Sequence, residues 1–73
     1  MTKSEYNNYS GKYIQKILEK YFFFEKKSQK GSHVKLRNKD RVVIVPLHKV
    51  VAYGTFKSIL SQANLSESEF YNT

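Results

Sequence analysis

Apolar positions return at steps of three and four residues from Ile14 through Ile17 and Leu18 to Tyr21, while Lys12, Lys16, Glu19 and Lys20 fill the positions between them. That period is one buried face of a helix. Ser10 just ahead offers an N-cap hydroxyl, so a helix is predicted over about Gly11 to Tyr21. The aromatic run Phe22-Phe23-Phe24 breaks the period and predicts a strand continuing to about Ser28, partly buried on both faces. Past a turn at Gly31-Ser32 the pattern changes to alternation. Val34 and Leu36 face one way and His33, Lys35 and Arg37 the other, as in a half-buried strand with a cationic outer face.

Asn38-Lys39-Asp40 reads as a hairpin tip before the β-branched run Val42-Val43-Ile44-Val45, which Pro46 ends because it cannot donate to a sheet ladder. After a loop from Leu47 to Tyr53, Thr55 reads as the N-cap of a second helix whose buried stripe is Phe56, Ile59, Leu60 and Ala63. Asn64 can close that helix in the left-handed conformation, and Ser66-Glu67-Ser68-Glu69 fits a capping box that docks Phe70. The order is α-β-β-β-α around a three-stranded antiparallel meander, an α+β fold. Residues 1–9 read as a flexible N-terminal arm and residues 10–73 as a single domain.

Seventy-three residues allow one small core of marginal stability. The chain has no cysteine, which excludes disulfides and Cys-based zinc sites and makes a reducing cytoplasm the expected location. No apolar run approaches a membrane span, and Met1-Thr2-Lys3-Ser4-Glu5 is not the start of a signal peptide, so no membrane association is expected.

Charge changes the picture most. From Lys26 to Lys49 eight cations stand against Asp40 alone, a balance of +7 that equals the net charge of the whole chain. Lys26, Lys27, Lys30, Lys35, Arg37, Lys39 and Arg41 can track a phosphate backbone, each contact adding a salt-dependent, sequence-blind contribution. Interspersed acids would be expected if solubility were the only purpose, so a polyanion is the first partner to consider.

His33 stands inside that segment, just past Gln29-Lys30-Gly31-Ser32. An imidazole both accepts and donates protons near neutral pH. Beside an RNA phosphodiester held by Lys30, Lys35 and Arg37, it can take the proton of a 2′-hydroxyl, which then attacks the adjacent phosphorus in line. Gly31 and Ser32 add small side chains and backbone N–H groups for a phosphate oxygen. His48 leaves the third strand near the start of the second, so it can share one end of the sheet and serve as a second proton-transfer group. The residues alone leave the plainer alternatives open: a surface histidine in a polar turn and a loop histidine bonded to backbone. The phenylalanines are assigned to the core, while Tyr6, Tyr9 and Tyr53 are left free to stack on bases. No metal-ligand cluster and no cofactor motif is present.

Four short motifs in order, Ser10-Gly11-Lys12, Gln29-Lys30-Gly31-Ser32-His33, Val45-Pro46-Leu47-His48 and Gly54-Thr55-Phe56-Lys57-Ser58-Ile59-Leu60, resemble those of the HicA toxins over about Ser10 to Phe70. The resemblance implies a double-stranded-RNA-binding-domain-like fold and an mRNA interferase within a type II toxin–antitoxin system. It further implies a catalytic role for His33 and a HicB-like antitoxin as partner in a hetero-oligomer, and the cationic segment makes an acidic antitoxin the expectation. Two departures stand out: Phe23 where the family usually has glycine after the first helix, and Ser28 where a basic residue often precedes the glutamine. The rival reading is an RNA-binding module of the same fold that does not cleave. Such modules usually carry a lysine cluster at the start of the last helix, where this chain has Lys57 alone.

Overall fold

The computed structural model describes residues 5–73. Helix α1 (Gly11–Tyr21) is followed by strands β1 (Glu25–Lys30), β2 (His33–Asn38) and β3 (Arg41–Pro46), then by helices α2 (Tyr53–Ala63) and α3 (Glu67–Tyr71). The strands form one antiparallel sheet in the order β1-β2-β3, so the α-β-β-β-α order and the α+β class expected from the pattern are observed.

The Ser10 hydroxyl accepts the Tyr13 amide at 3.0 Å and caps α1, whose buried face is Gly11, Ile14, Ile17 and Leu18. The other end differs from the expectation. The three phenylalanines do not begin a strand; they terminate the helix. Phe22 is the C-cap, Phe23 turns through a left-handed φ of 63°, and the Phe24 amide returns to the Leu18 carbonyl at 3.2 Å. That turn sends Phe24 into the core and leaves Phe23 78 % exposed, correcting its assignment to the core. β1 therefore opens at Glu25, and all its residues are exposed. Its partner on one side is β2, with a bulge between Lys26 and Ser28; on the other side it is an edge. Lysines and a bulge on such an edge discourage pairing with a further strand.

The alternation of β2 is as read: Val34 and Leu36 are fully buried, and His33, Lys35 and Arg37 are exposed. In β3 only Val43 and Val45 of the apolar run point inward, and Val42 and Ile44 remain about two-fifths exposed on the outer face. The outward amide of Ile44 donates to Gln62 Oε1 of α2 at 3.1 Å, so a helix side chain covers this edge.

α2 begins three residues earlier than the Thr55 cap would give. Ala52 is its N-cap, without a side-chain hydrogen bond, and the Ala52 carbonyl receives the Phe56 amide at 2.9 Å. Tertiary contacts fix this start. The Val51 amide donates to the Tyr9 carbonyl, the Tyr6 hydroxyl donates to the Val51 carbonyl, and the Tyr53 ring packs beside Tyr6. Of the arm expected at 1–9, residues 1–4 lie outside the described residues. Tyr6 and Tyr9 are half-buried, in ring contact with Phe56, so they are occupied by the core and are not free to stack on bases. Asn64 closes α2 at φ 59°, and the Ser66–Glu69 capping box is formed in both directions. Burial and the neighbouring Glu67 carboxylate push the Tyr71 hydroxyl well above its usual range.

Candidate nucleic-acid interface

A tight turn and a cross-strand hydrogen bond bring the histidines together. Gly31 and Ser32 join β1 to β2, with Gly31 at φ 60°, a conformation that favours glycine. His33 is thereby paired with Lys30 on one side and Pro46 on the other. The Leu47 amide then donates to the Ser32 carbonyl at 2.6 Å, extending the β2–β3 ladder beyond Pro46 and bringing His48 beside the start of β2.

The N-terminus of α1 holds His48 from the other side. The Gly11 amide donates to the His48 carbonyl at 2.9 Å. A Cβ at Gly11 would stand 1.9 Å from the Pro46 carbonyl oxygen and 2.7 Å from the Leu47 Cα, so only glycine allows the helix to approach this closely. The result is a pair of exposed imidazoles with ring centroids 6.3 Å apart at an interplanar angle of 75°. Among the described residues neither ring has a hydrogen-bond partner or a carboxylate beside it, so both are open to a ligand.

The cations continue from this pair. Lys35 and Arg37 lie on the same outer face as His33, and Lys30 is the cross-strand neighbour of His33. Among the described residues the one ion pair is Lys27 with Glu25 at 3.2 Å. Lys30, Lys35 and Arg37 thus have no ion-pair partner among the described residues, Glu25 opposite Arg37 being engaged by Lys27. Gly31 and Ser32 are exposed at the turn, with the Gly31 carbonyl engaged by Gln29 Nε2 at 3.0 Å. The seven residues assigned to the site from the sequence, His33, His48, Lys30, Gly31, Ser32, Lys35 and Arg37, therefore lie at or along β2.

Two contributors were not assigned a role from the sequence. Gly11 was visible as a glycine on the buried side of a helix, a position where alanine would ordinarily be preferred. A second feature is a groove at the far end of β2, lined by Phe23, Glu25, Lys27, Arg37, Asn38 and Lys39. Its signal was the phenylalanine directly after the helix. Among the described residues no three His, Cys, Asp or Glu side chains gather to hold a metal, and no helix is long and apolar enough to cross a membrane.

Residues 11–65 match the family model described as the HicA toxin of bacterial toxin-antitoxin. No curated protein matches the chain closely enough to count as a relative.

Proposed function

The chain belongs to the HicA toxin family and is thus the toxin of a toxin–antitoxin pair, and from that premise we propose that it is an mRNA interferase, an endoribonuclease acting in the cytoplasm. The observation that carries this reading is the exposed His33–His48 pair, 6.3 Å apart, at the head of a cationic strand face.

At that distance one phosphodiester can meet both imidazoles. One takes the proton of the 2′-hydroxyl as its oxygen attacks phosphorus; the other gives a proton to the departing 5′-oxygen. The bond to the 5′-oxygen breaks as the bond to the 2′-oxygen forms, leaving a 2′,3′-cyclic phosphate and a 5′-hydroxyl. Lys30 and Lys35, with the backbone N–H groups at Gly31 and Ser32, hold the phosphoryl oxygens and offset the charge that builds on them, while Arg37, farther along β2, holds a neighbouring phosphate. Acid–base chemistry of this kind supplies roughly 10² to 10⁴-fold. That suffices for a toxin, since a single cut silences a message. DNA has no 2′-hydroxyl and is not a substrate.

A site so strongly positive is most directly silenced by an opposite charge. The antitoxin is accordingly proposed to be an acidic HicB-like protein whose carboxylates cover His33 and its neighbouring cations in the complex. The test is incubation of the purified protein with labelled RNA and matched DNA in EDTA. RNA cleavage with intact DNA is expected; cleavage that needs an added divalent cation would overturn the two-histidine mechanism.

A further inference from the structure

Phe23 occupies the residue position after the α1 C-cap with φ 63°, where glycine is the usual choice because a Cβ is strained there. Its side chain does not offset that strain by burial, being 78 % exposed. The backbone around it is nevertheless held on both sides, by the Phe24 amide on the Leu18 carbonyl and by Asn38 Nδ2 on the Phe22 carbonyl at 3.0 Å. A large apolar ring is therefore presented to solvent on a rigid frame, at a position where neither folding nor solubility favours it.

Its surroundings are those of a phosphate-bearing ligand. Lys27, Arg37 and Lys39 line the groove beside the ring, and the groove's one acid, Glu25, is paired with Lys27. Arg37 Nε donates to the Lys39 carbonyl at 2.7 Å, which orients the guanidinium and leaves its terminal nitrogens unbonded among the described residues. Lys39 is itself in the left-handed region at φ 57°. Lys39 takes that conformation as a residue of the two-residue turn between Asn38 and Arg41, so the strain that turn geometry does not account for is at Phe23, and strain of this kind collects at functional positions. Arg37 and Lys35 then lead along the outer face of β2 to His33, a path of roughly 13 Å at the rise of a strand.

We propose that Phe23, Arg37 and Lys39 form a base-stacking subsite for single-stranded RNA, in which an unpaired base lies on the Phe23 ring and its phosphate meets Arg37 and Lys39. The proposal rests on the RNA-cleaving reading and adds to it the form of the substrate: an unpaired strand running along β2, with one base held a few nucleotides from the bond that is cut. A duplex offers no open base face to the ring, so it would not use this subsite.

The test uses the full chain carrying His33→Ala, so that bound RNA stays whole, with short oligoribonucleotides in which 2-aminopurine is moved through the sequence. One position is expected to quench on binding. Phe23→Gly, which suits the left-handed backbone and should melt no lower than its parent, is expected to abolish that quench and weaken binding roughly fivefold or more. Phe23→Trp is expected to retain both. Equal affinity and quench in Phe23→Gly would overturn the subsite while leaving the cleavage reading in place. A His33→Ala protein that binds none of the oligonucleotides would remove both. Loss of antitoxin affinity in Phe23→Gly with RNA binding unchanged would assign the ring to the protein partner and overturn the subsite.

Discussion

Gly11 of α1 lies against Pro46 at the end of β3 so closely that a methyl group on it would stand 1.9 Å from the Pro46 carbonyl oxygen. The contact is between backbones, which have little room to yield, and it carries the Gly11 amide to the His48 carbonyl. Gly11→Ala is expected to destabilise the domain by about 2 kcal/mol or more and to lower cleavage by displacing His48. Thermal melting reads the first effect. Cleavage measured on the fraction still folded reads the second, since a shifted helix takes His48 with it; a variant with unchanged melting and activity would mean that the contact is readily relieved.

Both histidines are exposed, so replacing either should change stability by less than about 0.5 kcal/mol. His33→Ala and His48→Ala are each expected to lower RNA cleavage by roughly 10² to 10⁴-fold. With an acid and a base both required, the wild-type rate should rise and then fall with pH, and each single substitution should remove one limb. A His48→Ala enzyme with the full two-limbed profile would leave His33 working with another partner.

Lys30, Lys35 and Arg37 face solvent without an ion pair among the described residues, so their removal should cost the fold little and the ligand much. Each alanine substitution is expected to lower the slope of log affinity against log salt by about 0.7 for a single strand, with no change in sequence preference. Binding titrations across a salt series check this. Unaltered slopes in all three would move the phosphate track off β2.

The Tyr71 hydroxyl donates to Glu67 Oε1 at 3.0 Å, and burial together with that carboxylate raises its pKa above the ordinary value of 10.0. The neutral form is favoured in the folded protein, so this contribution is complete below pH 10 and is lost as pH rises toward the folded-state value. Melting temperature should therefore fall above about pH 10. Tyr71→Phe should fall less steeply across that range than the wild type, and identical slopes would show that other groups set the alkaline limit.

What the sequence disclosed followed from how directly burial is printed in it. Val34 and Leu36 alternate with cations because one face of β2 is buried and the other is wet, so strand and face can be read together. β1 carries no such pattern: its residues are all exposed, and backbone pairing to β2 makes it a strand. By local pattern the neighbouring phenylalanines read as part of it, although Phe23 belongs to the helix end. Thr55 looked like a cap by local chemistry, yet α2 starts where Val51 and Tyr53 are held by Tyr6 and Tyr9, residues more than forty positions away. The site followed the same rule. His33 was legible from its strand, whereas the placement of His48 depends on Gly11, a contact between distant segments that no local pattern records.

Helix α1 is bonded at both ends to the sheet it covers: its first residue, Gly11, reaches the His48 carbonyl, and its C-cap, Phe22, receives Asn38. Those two attachments are at opposite ends of the cationic face. An eleven-residue rod, about 16 Å long at the helical rise, thus spans the same interval as the strand beneath it. Two stiff members of different construction fix that interval in parallel, so it cannot breathe with either one alone. The separation between the histidine pair and the far groove is a built-in gauge, and a chain with one turn more or less in α1 would have to find a different sheet to remain in step with it.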